Sequence, residues 1–237
     1  MARLSADPSW VARREEQEAT LRCKNQEFRQ RAFLPLVRLI GRRDGRYPRA
    51  ARRLLDVARS HRLYALFHLA LSTGARQGEL LALHWSDVDL DDRKIHIQHT
   101  LSKGDDGKLR RAAPKTGGGR RQIELTDHDV RVLREHRQSY PSVPFVFSDG
   151  AGNPLEKDHL LRHQLHPLLK AAGLPKIRFH DLRHTAATLM LGANVNPKIV
   201  SERLGHASIK ITLDTYSHVT PTMQREAAEK LATLLRR

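Results

Sequence analysis

The hydrophobic pattern changes period in the middle of the chain and then changes back. Lys94-Ile-His-Ile-Gln98 alternates polar and apolar residues, the period of a half-buried strand. Gly104-Asp-Asp-Gly107 follows as a hairpin turn signal. Leu109 to Pro114 fits a second strand and Gln122 to Leu125 a third, with Gly117-Gly118-Gly119 joining the two. Helical patterns flank this block on both sides. The expected fold is therefore α+β and mainly α: helices around a small three-stranded antiparallel sheet that carries Lys115.

Before the sheet, Ala50 to Arg59 reads as a helix with Leu54, Leu55 and Ala58 on one face. Leu63 to Leu71 is apolar on nearly every side and should be buried. Thr73-Gly74 interrupts it, and a third helix starts near Gln77. After the sheet, Thr126 can cap a helix from Asp127 to Arg137, and further helices are expected at about 157–171, 181–192, 197–204 and 221–235. Asn196-Pro197 supplies an N-cap with a proline at the first helical position, and Gly205 a C-terminal stop. Residues 1–47 differ. They are crowded with Arg, Glu and Gln, carry a broken helical stripe from about Trp10 to Arg38, and end in the breaker-rich Gly41-Arg-Arg-Asp-Gly45-Arg-Tyr-Pro48. They read as a basic arm or the remnant of a domain, ahead of a regular domain over 48–237.

Charge narrows the function. The 237 residues hold 42 Lys and Arg against 26 Asp and Glu, a formal net charge of +16. Self-repulsion of this size works against compactness, so a polyanionic partner is the simplest reason to keep it. Arginine dominates the positive residues and grips phosphate with a planar fork. No segment joins a strong apolar face to a basic one, and no apolar run is long enough for a membrane span. The start lacks an apolar signal-peptide segment, so a cytoplasmic protein is expected. The single cysteine, Cys23, excludes an internal disulfide and any multi-cysteine zinc site.

Seven side chains could carry chemistry. Arg76 follows a glycine turn between helices, and Lys115 sits beside a glycine-rich turn between strands. His180, Arg183 and His184 open a helix, His206 follows Leu204-Gly205, and Tyr216 precedes the last helix. Arg, Lys, His and Tyr are all types that touch or attack a phosphate, and no acidic cluster with metal spacing accompanies them. Lys115-Thr-Gly-Gly-Gly is not a phosphate-binding P-loop, because its glycines follow the Lys-Thr pair. His180 and His184 have the spacing of a zinc protease, but Asp181 stands where the general-base Glu would be. No metal is expected there. His159, His163 and His166 share a helical face without carboxylate or Cys neighbours and read as solvated or phosphate-facing. Serine and cysteine hydrolase signatures are missing.

In sum these motifs resemble the tyrosine recombinase, or phage integrase, family. Thr73-Gly-Ala-Arg-Gln-Gly-Glu-Leu80 is similar to its first arginine motif. Pro114-Lys115-Thr116 with Arg121 resembles its strand-turn lysine motif, and His180-Asp-Leu-Arg183-His184-Thr185 its His-x-x-Arg signature. Leu204-Gly-His206 and Asp214-Thr-Tyr216-Ser-His218 resemble the second histidine and the nucleophile motifs. All five occur in the family's order over about residues 48–235.

The resemblance implies a site-specific recombinase that cuts and rejoins double-stranded DNA, for integration or excision of a mobile element. It implies that Tyr216 attacks a scissile phosphate to give a 3′-phosphotyrosine, and that Arg76 and Arg183 grip the non-bridging oxygens. Lys115 would protonate the leaving 5′-oxygen, His180 would assist proton transfer, and His206 would hydrogen-bond the phosphate. Arg76, Lys115, Arg121 and Arg183 would contact DNA, and Glu79 would support the Arg76 loop. One phosphodiester is exchanged for another, so no cofactor is expected. Self-association, a tetramer on DNA in the family, is also implied. The family's helical core-binding domain has no counterpart in residues 1–47, and Gly119 stands where a serine is common. Two other readings remain from the residues: a non-catalytic DNA-binding regulator using the helix-turn-helix layout of 181–204, and a topoisomerase of type IB that only relaxes DNA.

Overall fold

The computed structural model describes residues 46–114, 119–141, 144–216, 228–229, 231–233 and 235. All of these except Arg46 lie in the unit that starts at Tyr47. Among them, no helix is long and apolar enough to cross a membrane.

Helix α1 (Arg46–Ala58) turns Leu54 and Ala58 inward and leaves Arg52 and Arg53 in water. Helix α2 (Tyr64–Thr73) is buried along almost its whole length, as its apolar composition requires. Gly74 stops it at φ 66°, a left-handed conformation that costs a residue with a Cβ but not glycine. Arg76 then caps the short helix α3 (Gln77–Leu81).

Strands β1 (Val88–Asp89), β2 (Lys94–Ile97) and β5 (Arg121–Glu124) form an antiparallel sheet in the order β1-β2-β5, with Ile95 opposite Ile123. Strands β3 (Thr100–Lys103) and β4 (Leu109–Ala112) form a separate hairpin closed by residues 104–107. A three-stranded sheet is thus present, but its membership differs from the expected one. The segment after the Gly104–Gly107 turn pairs with the strand that enters that turn, because a tight turn delivers its nearest neighbours first. The strand break at Gln98-His99 separates β3 from β2, and the edge of β2 is taken by the two-residue β1. Asp89 closes that link by accepting from the amides of Asp91 and Asp92 at 3.1 and 2.8 Å.

Helix α4 (Asp127–Ser139) begins with a reciprocal cap: Thr126 Oγ1 accepts from the Asp129 amide at 3.1 Å, and the Asp129 carboxylate accepts from the Thr126 amide at 2.8 Å. The single helix expected at 157–171 is three pieces. A π turn over Leu160–Leu165 separates α5 (Lys157–His159) from α6 (His166–Ala171). Pro167 sits at the start of α6 without an amide proton, so the chain widens just ahead of it.

Helices α7 (Phe179–Gly192) and α8 (Pro197–Leu204) occupy the expected positions, with Asn196 capping α8 and Gly205 ending it at φ 69°. The sequence reading has no helix directly after Gly205, yet α9 (Ile209–Tyr216) stands there. Of the helix expected over 221–235, residues 228–229, 231–233 and 235 are described and are helical. The stripe expected over Trp10–Arg38 lies outside the described residues. The core forms where α2 meets α7, with Phe67 and Phe179 ring centroids 6.4 Å apart. Helix α8 also packs against β5, which brings the ends of four elements to one place.

Candidate active site

That place is the turn Gly74–Arg76. Arg76 donates from Nη1 to Glu79 Oε1 at 2.7 Å and from Nη2 to the carbonyl of Gly205 at 2.8 Å. The first contact binds it to its own helix, and the second binds it to the turn after α8. Its side chain remains 38 % exposed. Glu79 is buried and also accepts from Arg121, Nη2 to Oε2 at 2.8 Å and Nη1 to Oε1 at 3.1 Å. Burial works to raise the Glu79 pKa, but the hydrogen bonds and charge of Arg121, with the bonds from Arg76, outweigh it and hold the carboxylate below its usual range.

Arg121 is far less open, with an 8 % exposed side chain. Its Nε donates to the carbonyl of Arg203 at 2.8 Å, so β5 is stitched to the end of α8. Arg203 returns the link, reaching the carbonyls of Glu124 at 3.1 Å and Ser72 at 3.2 Å. Arg183 is buried on α7 and donates to the carbonyl of Gly74 at 2.8 Å. Asp181 caps the same helix and holds Arg178 at 2.7 Å.

The histidines register the crowd of positive charge. His180 keeps an exposed edge, yet surrounding protein withdraws its ring from bulk water, and the charges of Arg183, Arg178 and Arg76 add to that. Its pKa is pushed down to about 4. His206 falls to about 4, through burial first and then Arg183, Arg76, His180 and Arg121. His184 falls to about 3, again through burial and then His180; the two rings meet edge to face at 4.7 Å. All three imidazoles are neutral at pH 7 beside fixed guanidinium groups. Such a site has a strong positive potential and neutral hydrogen-bonding partners, the arrangement that receives an anionic tetrahedral group.

Arg76, Arg121, His180, Arg183 and His206 are thus brought together from α3, β5, α7 and the turn after α8. Lys115 lies outside the described residues. Tyr216 is the last residue of α9, and its side chain is not among those described. Gly119 is fitted to its turn: a Cβ there would run into the Cβ of Pro114, so the serine common at this position has no room in this chain. His159 and His163 stack 4.7 Å apart on the surface, while His166 binds the carbonyl of Ile177 at 3.2 Å. The sequence reading missed Arg203 and Thr212. Thr212 could have been found from Ser208, a start signal for a helix that runs to Tyr216; its Oγ accepts from the Lys210 amide at 3.2 Å.

The chain is similar to known proteins in sequence and fold. The sequence model of the phage integrase family matches residues 47–223. A tyrosine recombinase XerC-like protein of Caldanaerobacter subterraneus subsp. tengcongensis is 33% identical over 205 residues, 77% of this chain and 52% of its own length. The integrase of Staphylococcus phage L54a is 32% identical over 176 residues, 69% of this chain and 49% of its own. The chain spans about half the length of these curated relatives. The Tn1549 transposon integrase, solved in complex with transposon right end DNA, superposes with a TM-score of 0.68 at 25% identity, over 76% of this chain and 63% of that one. The XerA recombinase gives 0.59 at 27% identity, over 79% and 64%. A family match over three quarters of the sequence agrees with the fold and with the order of the motifs, and the chain belongs to the phage integrase family, the tyrosine recombinases.

Proposed function

We propose that this chain is the catalytic part of a site-specific recombinase that integrates or excises a mobile element, with residues 48–237 forming the catalytic domain. The carrying observation is the convergence of Arg76 and Arg183 with neutral His180 and His206 at one positively charged site. In the proposed reaction the Tyr216 oxygen attacks a backbone phosphorus of duplex DNA. The bond from phosphorus to the 5′-oxygen breaks as the new bond forms. Lys115 supplies a proton to the departing 5′-oxygen, which leaves as a hydroxyl, and His180 takes up the proton that Tyr216 loses. Arg76 and Arg183, with His206, offset the charge on the non-bridging oxygens of the five-coordinate transition state. A phenol with a pKa of ~10 leaves more readily than an alcohol, so a 5′-hydroxyl from a second strand can reverse the step.

Arg121 acts from behind, through Glu79 on Arg76, and its phosphate contact is indirect. The relatives' names support DNA as the substrate: the Tn1549 integrase was solved with transposon DNA. Cleavage and exchange within a tetramer on DNA is the matching assembly.

A covalent trap tests this. Purified protein and its Tyr216→Phe variant are mixed with nicked duplexes tiled from DNA flanking the gene and run on a denaturing gel. An adduct that forms with the native chain and not with the variant is expected. An adduct that survives Tyr216→Phe, or salt-sensitive binding without any adduct across the full tiling, overturns the reading.

A further inference from the structure

Among the described side chains of helix α9, a polar one is turned into the body of the protein. Ile209, Ile211 and Leu213 are exposed, and Thr212 among them is fully buried. A helix docked by an apolar face would show the reverse. Thr212 Oγ1 lies 2.8 Å from Nδ1 of His206. The amide of His206 donates to the carbonyl of Ser201 at 3.0 Å, and the carbonyl of Gly205 before it accepts from Arg76 Nη2 at 2.8 Å. One hydrogen bond therefore ties α9 to a turn that Arg76 already clamps. Tyr216 comes four positions after Thr212, one helical turn along.

We infer that Thr212 is a positioning residue: its hydrogen bond to His206 sets the rotation of α9 and so the placing of Tyr216 against the arginine site. Slippage by one residue turns a helix by about 100°. It would bring Ile211 or Leu213 to His206, and neither can make the bond. Exposed Ile and Leu on the outer face offer little resistance to such a turn, so the polar anchor decides the register. The bond also fixes the ring of His206, which is neutral at pH 7 and needs a partner at Nδ1 to settle which nitrogen carries its proton. The catalytic half of this inference rests on the strand-transfer reading above. The anchoring half does not.

Thr212→Val keeps the volume and removes the hydroxyl, and Thr212→Ser keeps the hydroxyl. Amide hydrogen exchange over residues 209–216, on the full chain without DNA, reads the anchor alone. Thr212→Val should exchange about ten to a hundred times faster there, the effect of losing a buried hydrogen bond and stranding its partner, while Thr212→Ser stays within about threefold of the native chain. Single-turnover adduct formation on a nicked duplex reads the consequence. Thr212→Val should fall about a hundredfold at saturating DNA with affinity unchanged, and Thr212→Ser should recover most of the rate. Unchanged exchange in Thr212→Val overturns the anchor, as does equal damage in both variants. A rate loss that disappears at saturating DNA overturns the placing of Tyr216. If the native chain forms no adduct on any duplex, the strand-transfer reading falls, and the exchange measurement still decides the anchor.

Discussion

Arg183 donates from Nη1 to the carbonyl oxygen of Gly74 at 2.8 Å, joining residues that stand 109 apart in sequence. The contact holds α7 against the turn from which Arg76 projects. Arg76 in turn reaches the carbonyl of Gly205, and both partner carbonyls belong to left-handed glycines that end helices. A helix end leaves carbonyls without internal partners. Here two such orphans each fix one guanidinium, so the pair is set by backbone. Fixed backbone costs little reorganisation when charge develops between the arginines.

Gly74→Ala should damage this arrangement at its source. At φ 66° an added Cβ costs about 1–2 kcal/mol. The same Cβ would lie 2.5 Å from Cδ2 of buried Leu204, so that side chain on α8 must shift, while Cβ of Ala186 on α7 at 3.4 Å stays in ordinary contact. Overpacking adds about 1–3 kcal/mol. Urea unfolding should show a total loss of at least about 2 kcal/mol. A loss below about 0.5 kcal/mol would show that the turn is free to shift.

Glu79 and Arg76 should separate stability from function. The Glu79–Arg121 pair is sealed, with side chains 3 % and 8 % exposed, whereas the Arg76 side chain is open. Removing Glu79 strands a buried guanidinium, which costs about 3–5 kcal/mol. Glu79→Ala should therefore lower the urea midpoint strongly. Arg76→Ala removes a screened partner and should cost under about 1 kcal/mol, yet abolish adduct formation. Equal unfolding midpoints for the two variants would refute the division.

The order of helices was legible because their ends are marked: Thr126, Asn196 and Gly205 all act where the sequence places them. The sheet was harder. Lys94-Ile-His-Ile-Gln98 announces a strand, but Val88–Asp89 is too short for any period to show, and Thr100-Leu-Ser-Lys103 has only Leu101 as an inward apolar residue. The site residues on helices could be read from motif spacing. Their geometry could not, because it rests on carbonyls of Gly74, Arg203 and Gly205, which side-chain chemistry does not reveal. Helix α9 was hidden for a related reason. Among its described side chains the buried one is a threonine, while Ile209, Ile211 and Leu213 are exposed, so amphipathic reading turns it inside out.

Acid should unfold the protein through its histidines. His180 and His206 titrate at about 4 and His184 at about 3 in the folded chain, against 6.5 for an ordinary imidazole. Between those values the unfolded chain binds more protons than the folded one. The stability that these groups contribute is full above pH 6.5 and is lost as pH falls through the folded values. Thermal midpoints should thus drop from pH 7 to pH 4, and His206→Asn should flatten part of that slope. A bound phosphodiester offsets the arginine charges, so imidazole titrations followed by NMR should move upward when duplex DNA is added. Midpoints near 6.5 in the free protein would contradict the crowding of positive charge.

The hairpin that leads toward Lys115 should loosen under the same mild acid, through a separate set of groups. Arg111 on β4 donates from Nη2 to Asp87 Oδ2 at 2.6 Å and to His99 Nδ1 at 2.7 Å, and from Nη1 to His84 Nδ1 at 2.8 Å. A guanidinium only donates, so both ring nitrogens must be bare for the clamp to close. Burial and then the charge of Arg111 lower both histidines below 6.5; Asp87 opposes this, His99 adds to the effect at His84, and Arg120 adds to the effect at His99. The clamp is therefore complete above pH 6.5 and opens as pH falls through the folded values, when an imidazolium would face the guanidinium. Arg111→Lys keeps a charge for Asp87 but cannot span three acceptors, and should cost about 1–2 kcal/mol at pH 7. Amide exchange across Thr100–Lys103 and Leu109–Ala112, corrected for its intrinsic dependence on pH, should rise in native protein as pH falls from 7 through the lowered histidine titrations. Arg111→Lys should start high and change less. Equal protection of the native hairpin above and below the histidine titrations, followed by NMR, would show that Asp87 alone holds Arg111, and that the two histidines are bystanders.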